Sequence, residues 1–371
     1  MNDDATHGRG VGGRLTVDLA ALAANWRALA ALAPSAETGA AVKADAYGHG
    51  LAAAGDALRS AGCRTFFVAL PAEGATLRAA VPQATIYVLN GYFADAAETY
   101  RRERLRPVLG GPEEIDAWLA AASPADEPPA LHVDTGMNRL GLSFDEAAAL
   151  SAERPRVERL RPALVMSHLS CADSAEHPLN RLQIERFRAV RALFPGVAGS
   201  LSNSAGLQLG PATHHDLTRP GIALYGARAG NALSPLRPVA TLEGRIVRVR
   251  TVRAGEWVGY GAAFEARRDS VIAIVSVGYA DGYIRRSGAS DAGSGASAAI
   301  DGQRVPLAGR VSMDLLAVDV TDLPAGSARP GAWVELFGST IPVDEVADHA
   351  GTIGYELLTG LGSRLARRCI E

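Results

Sequence analysis

The chain has 371 residues, 48% of them hydrophobic and 21% charged, with 37 basic against 40 acidic side chains and a formal charge of -3. That length exceeds one average domain, and the composition is that of a folded globular chain. Near-neutrality argues against nucleic acid or an anionic membrane as the main partner, because both select clustered Lys and Arg. Three cysteines without a CxxC pair argue against a disulfide framework or a thiolate zinc site.

The segment 1–13 is acidic, then glycine-rich, and is expected to be a flexible tail. It lacks the basic and apolar regions of a signal peptide, so the cytoplasm is the expected compartment. Gly8, Gly10 and Gly13 match G-x-G-x-x-G but precede the first strand instead of following one, so they carry no dinucleotide reading. Asp18 is placed to cap a helix that buries Leu19, Leu22, Trp26 and Leu29. That stretch is interrupted by Asn25 and Arg27 and is too short to span a bilayer.

Short apolar runs then alternate with segments of helical period. The expected strands are Ala40–Ala44, Thr65–Leu70, Thr85–Asn90, Arg106–Leu109, Ala130–Asp134, Leu164–His168, Ser200–Ser204 and a short run near Leu217–Arg219. Ser143 and Glu146 have the spacing of a capping box. Strands each followed by a helical or loop stretch over residues 14–238 fit a (β/α)₈ TIM barrel.

From about Val239 the grammar changes. Val247–Arg250, Val271–Val277, Leu315–Val320 and Val334–Phe337 are short and β-rich, with turn signals such as Asp301-Gly302 between them. Residues 239–371 therefore read as a mainly-β C-terminal domain. Ser287–Ser297 is a low-complexity loop, and Ile353–Arg368 resumes helical spacing.

In a parallel barrel, functional groups sit at strand C-terminal ends. Those ends carry Lys43, Asn90, Arg139, His168, Ser204 and Arg219. A lysine on a buried strand must desolvate its ammonium, which lowers its pKa and frees a nucleophilic amine. From position alone, a lysine that snorkels to solvent is an equal reading, and His168 reads equally well as a satisfied core histidine. His214-His215-Asp216 has no further ligand cluster to support a metal, so no metal site is expected.

The segments AVKADAYGHG, DTGMNRLG, SNSAG, RPGIALYG, SVGYADGY, GRVSMD and TIGYELLT occur in this order and together closely resemble the alanine racemase family. The resemblance runs from about Leu15 to Arg367. It implies a barrel that binds pyridoxal 5'-phosphate (PLP), a β-domain, and interconversion of L- and D-alanine by two-base proton transfer at Cα of a PLP aldimine. Lys43 resembles the lysine that carries the cofactor and serves one face of Cα; Tyr279 resembles the base on the other face. Tyr47, Asn203, Ser204, Gly221, Ile222 and Tyr355 resemble the residues around the cofactor phosphate. Arg219 resembles the arginine that faces the pyridine nitrogen, and His168 the histidine in contact with it. Arg139, Met313, Asp314 and Tyr283 match the substrate side, with Met313 and Asp314 from a partner subunit and Tyr283 narrowing the entrance.

The resemblance further implies a head-to-tail homodimer with shared sites, alanine as substrate with serine as a second candidate, and a role in D-alanine supply to the cell wall or in D-alanine catabolism. A PLP-dependent lyase or decarboxylase of related fold is the first alternative, and Arg219 and Tyr279 count against it. A non-catalytic PLP carrier is the second; such proteins resemble the barrel alone. One position departs from the family: where many members carry a carbamylated lysine that pairs with the Arg139 equivalent, this chain has His132. Arg139 must then find another anion or sit less firmly.

Overall fold

The computed structural model describes residues 10–230, 236–290 and 293–371. They form two compact units, one from Leu22 to Leu236 and one combining the described residues through Ala21 with Arg237–Glu371. Gly8 and most of the expected tail lie outside the described residues.

The chain enters on strand β1 (Gly13–Asp18) and helix α1 (Leu19–Leu32). Asp18 caps the helix, its Oδ1 accepting from the Ala21 N–H at 2.7 Å. Leu22 and Leu29 are fully buried on one face, as the periodicity predicts. Buried Asn25 shares that face and donates to the Leu224 carbonyl at 3.0 Å, which satisfies its amide.

In the unit from Leu22 to Leu236 the strands are β2 (Glu37–Thr38), β3 (Ala40–Ala41), β4 (Thr65–Val68), β5 (Thr85–Val88), β6 (Leu105–Leu109), β7 (Ala130–His132), β8 (Leu164–Met166), β9 (Ala198–Ser200) and β10 (Leu217–Thr218). β3 to β9 pair in sequence order, all parallel. β10 closes the circuit. Asp216 and Arg219 donate to the Gly199 and Ser202 carbonyls on one side, and Glu37, Gly39 and Ala41 donate to Asp216, Thr218 and Pro220 on the other. β2 and β3 are thus one barrel strand, interrupted at Gly39. A Cβ there would stand 2.9 Å from the Thr65 carbonyl oxygen and 3.3 Å from that of Thr218, so only glycine lets both neighbours approach. The strands read as continuous buried runs, TFFV of β4 being buried throughout, because helices cover a parallel sheet and side chains fill its interior. The capping box at Ser143 and Glu146 opens the helix Phe144–Ala152 as its spacing predicts.

The other unit is mainly β, with an eight-stranded sheet. Its spine is β11 (Ala240–Val252), which pairs antiparallel with β1 and with two later strands, Ser270–Val275 and Trp333–Phe337. Here the structure divides the chain differently from the expected boundary at residue 14. β1 belongs to the β-rich unit because it is hydrogen-bonded between β11 and the C-terminal strand Ala366–Ile370, and Arg14 forks onto Glu243 at 2.5 and 2.8 Å. That C-terminal strand is a second difference. Helical spacing suggested a helix to Arg368, but the helix spans Gly354–Thr359, and Gly360 and Gly362 free the chain to pair with β1. Among the described residues no helix is long and apolar enough to cross a membrane.

Gly39→Val is expected to destabilise the protein by about 1–3 kcal/mol, the cost of forcing atoms into a filled space. A chemical-denaturation midpoint checks this; an unchanged midpoint would mean that the first barrel strand can shift outward.

Candidate active site

Lys43 stands just beyond the C-terminal end of β3, since the strand ends at Ala41 and not at Ala44. The next residues make a left-handed turn, in which Ala44, Asp45, Ala46 and Tyr47 have φ of 53°, 54°, 54° and 53°. L-residues adopt this conformation at a cost of roughly 1–2 kcal/mol each, so neighbours must hold it. The Ala46 N–H donates to the Val42 carbonyl at 2.9 Å and the Gly50 N–H to that of Asp45 at 3.0 Å. Asp45 Oδ1 accepts from the Leu51 N–H and Glu73 Oε1 from the Ala44 N–H, both at 2.7 Å. The Tyr47 ring stacks on Tyr225 with centroids 4.8 Å apart, and the Tyr225 hydroxyl donates to the Ala41 carbonyl.

Arg219, directly after β10, is 5% exposed. Its guanidinium donates to Ser200 Oγ at 2.5 Å, to the Ser167 carbonyl at 2.6 Å and to the Leu201 carbonyl at 3.5 Å, and lies 3.4 Å from His168 Nδ1. All four partners are neutral. Burial pulls its pKa down to about 9, which leaves it protonated at neutral pH. Burial and then the Arg139 guanidinium hold Lys43 below its ordinary value, with Glu73 opposing. His168 is driven well down by burial, then by Arg219 and Arg139.

A cup of hydroxyls and amides lies beside these cations. Ser204 Oγ accepts from the Gly221 N–H at 2.7 Å and the Ala223 N–H at 3.3 Å, at the start of the turn Ile222–Tyr225. Ser204 therefore does not cap the turn that follows it, Ala205–Leu209; there Asn203 Oδ1 accepts from the Gly206 N–H at 2.9 Å. A Cβ on Gly221 would stand 2.4 Å from the Tyr47 hydroxyl, so glycine is what lets Tyr47 reach this place.

Arg139 is exposed on the loop after β7, whose backbone is gathered by Asp134 accepting from the Gly136, Met137 and Asn138 N–H groups. Among the described residues no carboxylate or hydrogen bond holds the Arg139 guanidinium. His132 cannot serve as its anion: burial, then Arg219, pushes the imidazole down to about 4, and it is neutral at pH 7.

The remaining candidates belong to the β-rich unit. Tyr279 opens a short turn, Tyr279–Asp281, and is 41% exposed. Met313 and Tyr355 are also exposed, and Asp314 pairs with Arg364 at 2.7 Å. Tyr283 is a correction. It was expected at an entrance, but it is 0% exposed within the core of this unit and has no surface with which to line an opening. His214, His215 and Asp216 turn to separate partners: the Leu207 carbonyl, the edge of Phe187, and Gly199 with Arg191. Among the described residues no group of His, Cys, Asp or Glu could hold a metal.

Several contributors escaped the sequence reading. Glu73 caps its own helix through the Ala69 and Leu70 N–H groups while also holding the lysine turn; its position after Leu70-Pro71 was a readable helix-start signal. Ser167, Ser200 and Tyr225 carry no such signal. The plainest missed signal is a count: Lys43 is the only lysine in the chain. The residues fit PLP, an aldehyde bearing a phosphate dianion: one desolvated amine, a buried cation without a carboxylate, and a cup of hydroxyl and amide donors.

The His132 shift has a consequence for stability. The unfolded imidazole titrates near 6.5 and the folded one near 4, so between those values the unfolded chain binds more protons and stability falls as pH falls. The shift corresponds to about 3 kcal/mol lost between pH 7 and pH 4. His132→Asn is expected to flatten that part of the curve of denaturation midpoint against pH; an unflattened curve would assign the acid sensitivity to other groups.

Comparison with known proteins agrees with this fold. Residues 17–229 match the alanine racemase N-terminal domain and residues 239–369 the C-terminal domain. A biosynthetic alanine racemase of Agrobacterium fabrum is 51% identical over 96% of this chain and 93% of its own length, and a catabolic one of Mesorhizobium japonicum is 42% identical over 97% and 93%. The biosynthetic alanine racemase of Pseudomonas aeruginosa superposes with a TM-score of 0.90 at 40% identity, over 97% of this chain and 100% of that one. The Bartonella henselae alanine racemase, solved with covalently bound pyridoxal phosphate, gives a TM-score of 0.89 at 36% identity, again over 97% and 100%. With both domain models matched and relatives this similar along nearly its whole length, the chain belongs to the alanine racemase family.

Proposed function

We propose that the chain is a PLP-dependent isomerase that interconverts L-alanine and D-alanine, with Lys43 and Tyr279 as its two bases. The observation that carries this reading is the solitary, desolvated Lys43 among cations at the barrel mouth. When bound, PLP withdraws electrons from an attached amino acid and so acidifies its Cα–H. Lys43 holds the cofactor and, once the substrate amine has displaced it, is an amine able to take or return the Cα proton on one face.

Arg219 faces the pyridine nitrogen in this reading. A fixed cation there opposes protonation of the ring and moderates its pull on electrons, which favours return of the proton over side reactions and counts against a lyase. Its burial among neutral partners supports that role, and His168 steadies it. Ser204, Tyr47 and the amides of Gly221 and Ile222 would receive the phosphate, with Asn203 holding the turn. Arg139 attends the substrate carboxylate. Among the described residues no carboxylate holds it, so weakened substrate binding is expected.

Tyr279 is the acid–base group for the opposite face. Its exposure supports delivery to the barrel mouth of a second copy, with Met313 and Asp314 beside it, in a homodimer whose separate subunits are inactive. Serine falls within the substrate range, because a small pocket rejects an added hydroxyl weakly. The free thiols Cys63, Cys171 and Cys369 support a cytoplasmic setting.

The enantiomers have equal free energies, so kcat/KM must match in the two directions for every variant. Proton exchange therefore separates the two faces better than direction does. In deuterated water the protein is expected to invert L-alanine with deuterium gained at Cα. Tyr279→Phe should lose inversion by about 10²–10⁴-fold, while one enantiomer still exchanges its Cα proton with retention. Release of carbon dioxide or ammonia would instead assign a lyase, and equal loss of exchange from both enantiomers would remove Tyr279 as the second base.

A further inference from the structure

Three segments of the β-rich unit meet behind Tyr279. The Tyr279 N–H donates to the Ser312 carbonyl and the Ala280 N–H to that of Met313, both at 3.0 Å. The Gly362 N–H donates to the Asp281 carbonyl at 3.0 Å. One side chain ties the segments together. Arg364 donates through Nε and Nη2 to the two carboxylate oxygens of Asp281, at 2.8 and 3.0 Å, and through Nη1 to Asp314 Oδ1 at 2.7 Å.

The two ion pairs are unequal. Asp281 is 4% exposed, and besides Arg364 its carboxylate accepts the Gly278 N–H at 2.9 Å. A buried carboxylate gripped bidentately fixes both distance and plane, whereas an exposed pair contributes little by itself. Asp281 therefore anchors Arg364, and the remaining donor of Arg364 draws in the Asp314 loop. The Gly278 N–H bond passes this order to the residue immediately before Tyr279, so the guanidinium sets where the Tyr279 backbone stands relative to Met313 and Asp314.

We propose that Arg364 is a positioning residue for Tyr279: its fork on Asp281 and its bond to Asp314 hold the turn from which Tyr279 delivers a proton to Cα. This rests on Tyr279 being the second base. Lys43, in the other unit, receives nothing from this clamp, so loss of Arg364 affects one face of the reaction and spares the other. A group that merely stabilised the fold would affect both faces alike.

The test uses the holoenzyme in deuterated water, with the enantiomer that Tyr279→Phe still exchanges. For that enantiomer, label returned with retention reports Lys43, and label delivered with inversion reports Tyr279. Arg364→Gln is expected to raise the ratio of retained exchange to inversion by about 10- to 100-fold, the effect of a misplacement near 1 Å. Arg364→Lys, which keeps the charge and one contact, should raise it less, and it serves as the measured variant if Arg364→Gln does not fold. Asp314→Asn, which removes only the exposed arm, should raise it least. An unchanged ratio in the variants that fold, whatever their activity, overturns the proposal. If Tyr279→Phe itself leaves the ratio unchanged, the two-base reading fails first and the clamp has nothing to position.

Discussion

Burying a guanidinium among neutral partners constrains everything near it. Arg219 cannot give up its proton at physiological pH, so its charge persists in a place where water cannot screen it well. Groups that can discharge do so: His132 and His168 lose their affinity for protons, and Lys43 is held below its ordinary pKa by burial and by Arg139. The site therefore contains two guanidinium cations, Arg219 and Arg139, and several bases whose affinity for protons is lowered. A phosphorylated aldehyde brings an anion to these cations and uses the Lys43 amine for its attachment. Electrostatic demand and covalent chemistry point to one ligand class.

The scaffold is arranged around that demand. Gly39 lets the first barrel strand bond to both neighbours, so the circuit closes and Arg219 is enclosed. The left-handed turn after Lys43 then carries Tyr47 back toward Gly221 and Ser204, bringing the amine and the cup of hydroxyls and amides together over a few residues. A right-handed turn would send Tyr47 elsewhere. The conformational cost is met by Glu73, Asp45 and the stack on Tyr225, which explains why a carboxylate on another helix belongs to the description of the lysine. In the β-rich unit, Asp281 plays the corresponding part, a buried carboxylate around which a functional turn is fixed.

Much of this was legible in the sequence, and for physical reasons. Apolar runs alternating with helical periods mark a parallel sheet, barrel or doubly wound, because both faces of its strands are covered, and the missing dinucleotide fingerprint favours the barrel. Asp18 and Ser143 announce helices because their side chains must satisfy amides that the helix leaves free. Polar residues at strand ends marked the barrel mouth, and the ordered motifs identified the family. What stayed hidden depends on tertiary partners. The first strand joins the β-rich unit through pairing with residues 240–244 and 366–370, which no local pattern reveals. Tyr283 was assigned to an opening because a tyrosine near a functional motif looks the same in sequence whether it is buried or exposed. The left-handed turn contains alanines, which give no sign of positive φ. The lone lysine needed only counting.

The central claim is that burial, and after it the Arg139 guanidinium, keeps Lys43 from holding its proton as an ordinary lysine does. Because Lys43 is the only lysine, reductive methylation of the cofactor-free protein with ¹³C-formaldehyde labels one side-chain amine, whose signal is assigned by its loss in Lys43→Ala. The decisive measurement is the NMR titration midpoint of that signal. It is predicted to lie below that of the same methylated amine in the denatured chain and to rise in Arg139→Gln. A midpoint equal to or above that of the denatured chain, or one indifferent to Arg139, would contradict the account of the lowered proton affinity.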